Sequence, residues 1–142
     1  MITDSSPRID WHQGFFSALK LIFQEYHHVL AFQSEVPLNT KQLRIDAVIT
    51  KKNPHAVVNN PLAGIFKRIN ILEYKSPEDY LSVDALYKAI AYCYLYASLE
   101  HHAIVEISLS LVVSSHPREA FKHLREVLGW EVEEQWPGIT VV

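Results

Sequence analysis

Apolar residues at positions 15, 19, 22, 23 and 26 of "DWHQGFFSALKLIFQEY" recur at helical spacing, which predicts a first helix with one apolar face. Asp10 and Gln13, three apart, make a capping-box pattern at its start. "HHVLAFQSEVPL" reads as a strand ending at Pro37, and "LNTK" as a turn with Asn39 and Thr40 at its tip. "QLRIDAVITK" alternates Leu43, Ile45, Ala47 and Ile49 against Arg44, Asp46, Val48 and Thr50, so the two segments predict a hairpin. Prolines and asparagines make residues 52–62 a loop, and "IFKRINILEYKSP" holds a third strand closed by Pro77. The longest helix is expected over Ser82 to Glu100, with Ser82, Glu78 and Asp79 suiting its N-terminus. "AIVEISLSLVVSS" is almost continuously apolar, the pattern of a strand that is central or covered on both faces. "HPREAFKHLREVLG" predicts a helix with proline in its first turn and Gly129 at its C-terminal end. "WEVEEQWPGITVV" starts like an edge strand, turns at Pro137-Gly138 and ends strand-like. Such an ending implies either a tail paired within the sheet or a chain that is the N-terminal part of a longer protein.

The predicted order is α-β-β-β-α-β-α with a β-like tail. Three consecutive strands form a meander, and a fourth that arrives through a helical crossover can pair parallel to an earlier one. The expected class is α/β, a mixed sheet flanked by helices on both faces. With 142 residues there is room for one domain with one core, taken as residues 1–142. A hydrophobic content of 49% against 20% charged is that of a soluble globular protein. The N-terminus lacks the apolar core of a signal peptide, and the richest apolar run, "ALYKAIAYCYLYASL", contains Lys88 and is too short to span a bilayer, so no membrane partner is expected. Cys93 is the single cysteine, which excludes an internal disulfide and a cysteine zinc cluster and fits a reducing cytosol. The expected location is cytoplasmic.

Charge is distributed unevenly. The whole chain is at −3, yet residues 38–75 carry seven Lys or Arg against Asp46 and Glu73, a local excess of +5. A local basic field can attract phosphate on an acidic chain; alternatively Lys41, Lys51, Lys52, Lys67 and Arg68 only keep hairpin ends and loops solvated. The acids in that block carry the candidate chemistry. Glu73 and Lys75, two apart on a strand, share one face, and Tyr74 points the other way. Asp46 on the neighbouring strand reaches Glu73 in one register. Two close carboxylates repel unless a cation lies between them, and a hard ion such as Mg2+ or Mn2+ resolves the conflict. With a lysine beside them, this is equipment for metal-assisted phosphodiester hydrolysis. The competing reading is an ion pair of Lys75 with Asp46 or Glu73 at a sheet margin.

An α-β-β-β-α-β order with Asp on the second strand and Glu-x-Lys on the third resembles the PD-(D/E)XK nuclease superfamily, whose core is restriction-endonuclease-like, αβββαβ. "IDAVITKK" and "NILEYKSPEDYLSVDALYKAIAYCYLYA" are similar to a group of bacterial proteins assigned to that fold, distantly related to recombination-promoting nucleases and transposase-related proteins; the likeness covers residues 11–128. It implies a DNA-cleaving domain in which Asp46 and Glu73 ligate Mg2+ or Mn2+, the Tyr74 carbonyl is a further ligand and Lys75 is the catalytic lysine. Ile45 stands where the motif's name has proline. Many relatives carry a glutamate near the start of the first helix; this chain has His12-Gln13-Gly14, which makes Gln13 the nearest candidate and places a second metal in doubt. Some exonuclease-type relatives carry Gln-x-x-x-Tyr on the long helix; Lys88 and Tyr92 occupy those positions, with Lys88 either gripping phosphate or pairing with Asp84.

The pairs His27-His28 and His101-His102 lack the spacing of a zinc site, and Ser114-Ser115-His116 lacks the context of a nucleophile elbow. The expected function is therefore divalent-metal-dependent DNA hydrolysis, with DNA as partner and a homodimer as a candidate assembly. The alternative is a weak or inactive nuclease-fold module that binds DNA or protein, or an oligomeric scaffold with the aromatic helix and Val142 buried in a partner.

Overall fold

The computed structural model describes residues 9–40 and 43–141. Asp4, Arg8, Lys41 and Val142 lie outside the described residues. The elements are α1 (Trp11–Ile22), β1 (Leu30–Thr40), β2 (Leu43–Lys51), β3 (Ile69–Tyr74), α2 (Val83–Leu99), β4 (Ile107–Val112), α3 (Arg118–Glu126), β5 (Glu133–Trp136) and β6 (Ile139–Val141). Short 3-10 turns occupy Gln24–Tyr26, Pro61–Ala63 and Ile104–Glu106. The main sheet runs β1-β2-β3-β4. Its first three strands are antiparallel neighbours, and β4, reached through α2, is parallel to β3. The class is thus α/β, with a mixed four-stranded sheet and three helices among the described residues.

Helix termini follow local chemistry. The Asp10 carboxylate accepts from the Gln13 N–H at 3.0 Å, the first half of a capping box. Ser82 caps α2 by accepting from the Ala85 N–H at 3.1 Å, and α2 stops at Leu99, as its periodicity predicts. Helix α1 covers one sheet face through Leu19 and Phe23, which pack with Leu30, Ala47, Ile49, Phe66 and Leu72. Helix α2 covers the other face through Tyr92, Cys93, Tyr96 and Ala97 against Ile45, Val48, Ile69, Ile71 and Ile107. Helix α3 packs on α2, with Ala120 and Leu124 against Leu81 and Leu86.

Several details depart from the sequence pattern. Strand β1 does not end at Pro37 but continues to Thr40, with Pro37 opposite Arg44 and Thr40 opposite Leu43. An outer strand accommodates proline because an outward-facing N–H is not needed for the ladder. Asn39 and Thr40 are therefore strand residues, and Lys41, the last residue of the predicted turn, lies outside the described residues. Ile22 is exposed, since the buried row of α1 runs through Leu19 and Phe23 and leaves Ile22 at its margin. Strand β4 is an outer strand, half-buried from Leu109 to Val112. The tail does not join the main sheet: β5 and β6 form their own two-stranded sheet, turning at Pro137-Gly138 with Gly138 at φ +79°.

The alternation expected for β2 also breaks. Val36, Leu43 and Ile45 pack with the α2-side cluster, whereas Phe32, Ala47 and Ile49 pack with the α1-side cluster. Facing therefore inverts between Phe32 and Val36 on β1 and between Ile45 and Ala47 on β2. The inversion coincides with Glu35, at φ +46°, between the pairs Ser34↔Ala47 and Val36↔Ile45. The position left between those pairs on β2 is Asp46.

At the opposite end of the strands Asn70, fully buried, joins three of them. Its Nδ2 donates to the carbonyls of Ile49 at 3.0 Å and Lys67 at 2.9 Å, and its Oδ1 accepts from the Lys67 N–H and the Ser108 hydroxyl. All four hydrogen-bonding positions of the amide are filled. Asn70→Ala should therefore lower unfolding stability by about 2–4 kcal/mol through the buried partners left unpaired. Chemical denaturation monitored by circular dichroism measures this, and a change below about 0.5 kcal/mol, the range of an ordinary surface substitution, would refute the assigned role.

Candidate functional site

The last described rung between β2 and β3 is Ala47↔Leu72, and one step further in that register Asp46 faces Glu73. There the strands part. The Asp46 N–H donates to Glu73 Oε1 at 3.2 Å, and the Tyr74 N–H donates to Asp46 Oδ2 at 2.8 Å. Beyond the ladder, two backbone donors are thus satisfied by the two carboxylates, and a fork opens with an acid on each prong. Strand β3 stays anchored on its other side, where the Lys75 N–H donates to the Val112 carbonyl at 2.9 Å.

The pair is electrostatically frustrated. Burial first, and then the negative charge of Asp46, push the Glu73 carboxyl up to about 8. The Asp46 N–H and the charge of Lys75 act in the opposite sense without offsetting this. Near neutral pH the pair therefore holds a proton that a cation could replace. The donor set fits a hard divalent ion: carboxylate oxygens, plus the Tyr74 carbonyl, which projects to the same side of β3 as the N–H that meets Asp46. Among the described residues no three His, Cys, Asp or Glu side chains form a ready-made metal cage. Such an ion would need water or phosphate oxygens as well, the usual arrangement for Mg2+.

Lys75 is half-buried, on the Glu73 side of β3, and among the described residues its ammonium has no carboxylate within 4.0 Å. The marginal ion pair considered from sequence is absent there. Tyr74 turns to the α1 side, stacked on Phe15 with ring centroids 4.8 Å apart. The residue that α1 brings to the acids is His12, not Gln13: His12 Nε2 lies 3.4 Å from Asp46 Oδ1, and the His12 ring meets the Tyr74 ring edge-on. Gln13 is exposed, with its backbone N–H engaged at the Asp10 cap. His12 immediately precedes the position where the sequence looked for a ligand, and the helical rotation of about 100° per residue decides which of the two faces the fork.

On α2, Tyr92 is buried against Ile45 and Val48, and Lys88 lies over its ring, 5.7 Å from the centroid. Among the described residues Lys88 forms no ion pair with Asp84. Cys93 adjoins the site: burial, and then the Glu73 charge, push its thiol up to about 11. Most of the basic block lies elsewhere. Lys51, Lys52, Lys67 and Arg68 cluster where β2 ends and β3 begins. Five residues of strand, about 16 Å, separate Asp46 from Lys51. Arg68 pairs with Glu106 at 3.6 Å, and Lys52 donates to the His27 carbonyl at 3.1 Å. A surface depression lined by Leu21, Ile22, Gln24, Glu25 and His27 lies past the end of α1, remote from the fork.

The raised Glu73 value has a thermodynamic consequence. From its ordinary value of 4.5 up to about 8, the folded chain holds a proton at Glu73 that the unfolded chain has released. That contribution to stability is complete at low pH, declines as pH rises through this window and is gone above it. Glu73→Gln should flatten this part of the curve and raise the melting temperature at pH 8 relative to the parent. Thermal melts of both proteins from pH 5 to 9 without divalent ions measure the difference; parallel curves would rule out the buried acid pair.

No family model, no curated protein and no solved structure matches this chain, so its own geometry carries the functional reading.

Proposed function

We propose that this chain is a nuclease-like domain of the PD-(D/E)XK type, with a restriction-endonuclease-like core, that hydrolyses DNA phosphodiester bonds with Mg2+ or Mn2+. The observation that carries the reading is the fork, where Asp46 and Glu73 face each other one step past the last rung and burial, with the Asp46 charge, pushes the Glu73 carboxyl up. Asp46, Glu73 and the Tyr74 carbonyl are the residues that would hold the ion. When bound, it supplies Lewis-acid stabilisation of a phosphoryl oxygen and acidifies a water. The chain's own groups do the rest. Asp46 and Glu73, deprotonated, would hold the ion at the mouth of the fork, where phosphate oxygens could complete its shell. The Lys75 ammonium, free of carboxylate partners among the described residues, is available to orient the attacking water and to offset charge developing on phosphorus. The Tyr74 ring, seated on Phe15, holds the carbonyl that faces the fork. Lys88, exposed on α2, is available to contact the DNA backbone, while Tyr92 beneath it is packing.

One observation favours a second reading, a weak or inactive nuclease-fold module that binds DNA or protein. Four of the seven basic residues of the central block sit at the far end of the strands, so the strongest positive field does not surround the carboxylates. Binding there would proceed without the fork.

Calorimetry separates the two. Mn2+ should bind the parent and fail to bind Asp46→Ala; equal heats from both proteins would sink the metal assignment. Lys75→Ala should keep its melting temperature within a few degrees and lose all metal-dependent cleavage of plasmid or single-stranded DNA. Intact cleavage in a destabilised Lys75→Ala would return this lysine to a structural role.

Lys88→Gln tests the phosphate contact. Its DNA affinity in Ca2+, followed across a salt series, should fall for all sequences alike, with a slope shallower by about one counterion. An unchanged slope and affinity would remove Lys88 from the site.

A further inference from the structure

The two outer strands of the main sheet are treated differently by the sequence. Strand β1 carries devices that discourage another strand from pairing with it: Glu35 in a left-handed conformation, Pro37, and a register shift between Pro37 and Thr40. Strand β4, "ISLSLV", has no charge, proline, glycine or bulge. Its composition is that of an interior strand, yet among the described residues it pairs only with β3.

The direction of its free backbone groups follows from the ladder. The Val112 carbonyl accepts from Lys75 on β3. By the two-residue period Ser110 and Ser108 also address β3, and Ile107, Leu109 and Leu111 direct their N–H and C=O groups outward. Ile107 and Leu109 pack on the α2 cluster and Leu111 on the α2–α3 cluster, so the three share the helix-covered face.

We propose that β4 is the interface of a homodimer, in which it pairs antiparallel with β4 of a second copy about a two-fold axis at Leu109. The segment Ile107-Ser108-Leu109-Ser110-Leu111 alternates symmetrically about its centre. An axis at Leu109 sets Leu109 opposite its own copy, Ile107 opposite Leu111 and Ser108 opposite Ser110. All three outward-facing residues then fall at hydrogen-bonded positions, which gives roughly six intermolecular backbone hydrogen bonds. An axis at Ser108 or Ser110 would set the serine on the dyad at a non-hydrogen-bonded position and pair only two of the three outward-facing residues of β4 with each other, for roughly four bonds. The absence of charge on β4 removes like-charge repulsion from a self-pairing strand. A second copy is thus the occupant whose pattern the edge matches, and the two four-stranded sheets become one continuous sheet. Isologous contacts of this kind close on themselves and leave no free edge at β4.

The inference is independent of the nuclease reading, and its test involves neither metal nor DNA. Sedimentation equilibrium over a concentration series should give twice the chain mass at the upper end. Ser110→Lys places an ammonium on each side of the axis and should weaken association at least about tenfold while leaving the circular dichroism spectrum unchanged. Hydrogen exchange on the parent provides a measurement that does not depend on how the variant folds: the Leu109 and Leu111 amides should be slow in the dimer and fast on dilution to monomer. A parent that remains monomeric throughout overturns the proposal. A dimer in which both amides exchange rapidly, or one unaffected by Ser110→Lys, places the interface elsewhere and overturns it as well.

Discussion

The register of β2 against β3 is the constraint on which the rest depends. With Ala47 opposite Leu72, the next step sets Asp46 against Glu73; a slip of one residue would separate the acids and reverse the faces of the strand. The register is held from the far end, where the Asn70 amide ties Ile49 on β2 and Ser108 on β4 to one point on β3. The near end can then come apart without the sheet losing its alignment. Glu35 is left-handed, the faces exchange beside Asp46, and the backbone donors freed there go to side-chain oxygens. Rigidity at one end and divergence at the other are two parts of one arrangement.

The fork carries an unfavourable charge arrangement within an otherwise satisfied structure. Among the described residues no buried side-chain nitrogen or oxygen lacks a partner. Against that background a carboxyl group held partly buried beside another is a specific exception, of the kind concentrated at sites that handle charge. Neighbouring groups do little to relieve it. Lys75 is too distant for an ion pair, and His12 reaches Asp46 from a largely solvent-exposed position on α1. Lys51, Lys52, Lys67 and Arg68 sit at the opposite end of the strands, so the Glu73 carboxyl stays raised by burial and by the Asp46 charge.

Local chemistry was readable in the sequence where it acts locally. The Ser82 cap and uninterrupted periodicity delimit α2, and Gly129, at φ +67°, marks the C-terminal side of α3. The Asp46–Glu73 juxtaposition needed only a meander and one register, and both are present. Features set by long-range geometry were not readable. Pro37 suggests a stop unless the strand is known to be outermost. The apolar run of β4 suggests an interior strand because patterning reports what a strand can bury, not what lies beside it. The exchange of faces at Asp46 depends on the backbone of Glu35, on a different strand. His12 escaped notice because helix rotation, not sequence proximity, decides which neighbour faces the sheet.

Cys93 offers a use outside any function of the site. Its thiol is buried on α2 and pushed up to about 11, so almost none is thiolate at neutral pH. In the native chain it should resist alkylating reagents; once the core opens it becomes an ordinary cysteine and reacts readily. It is the chain's single cysteine. Its labelling rate therefore reads the opening of the helix–sheet interface behind Glu73 directly, and the probe is already built in.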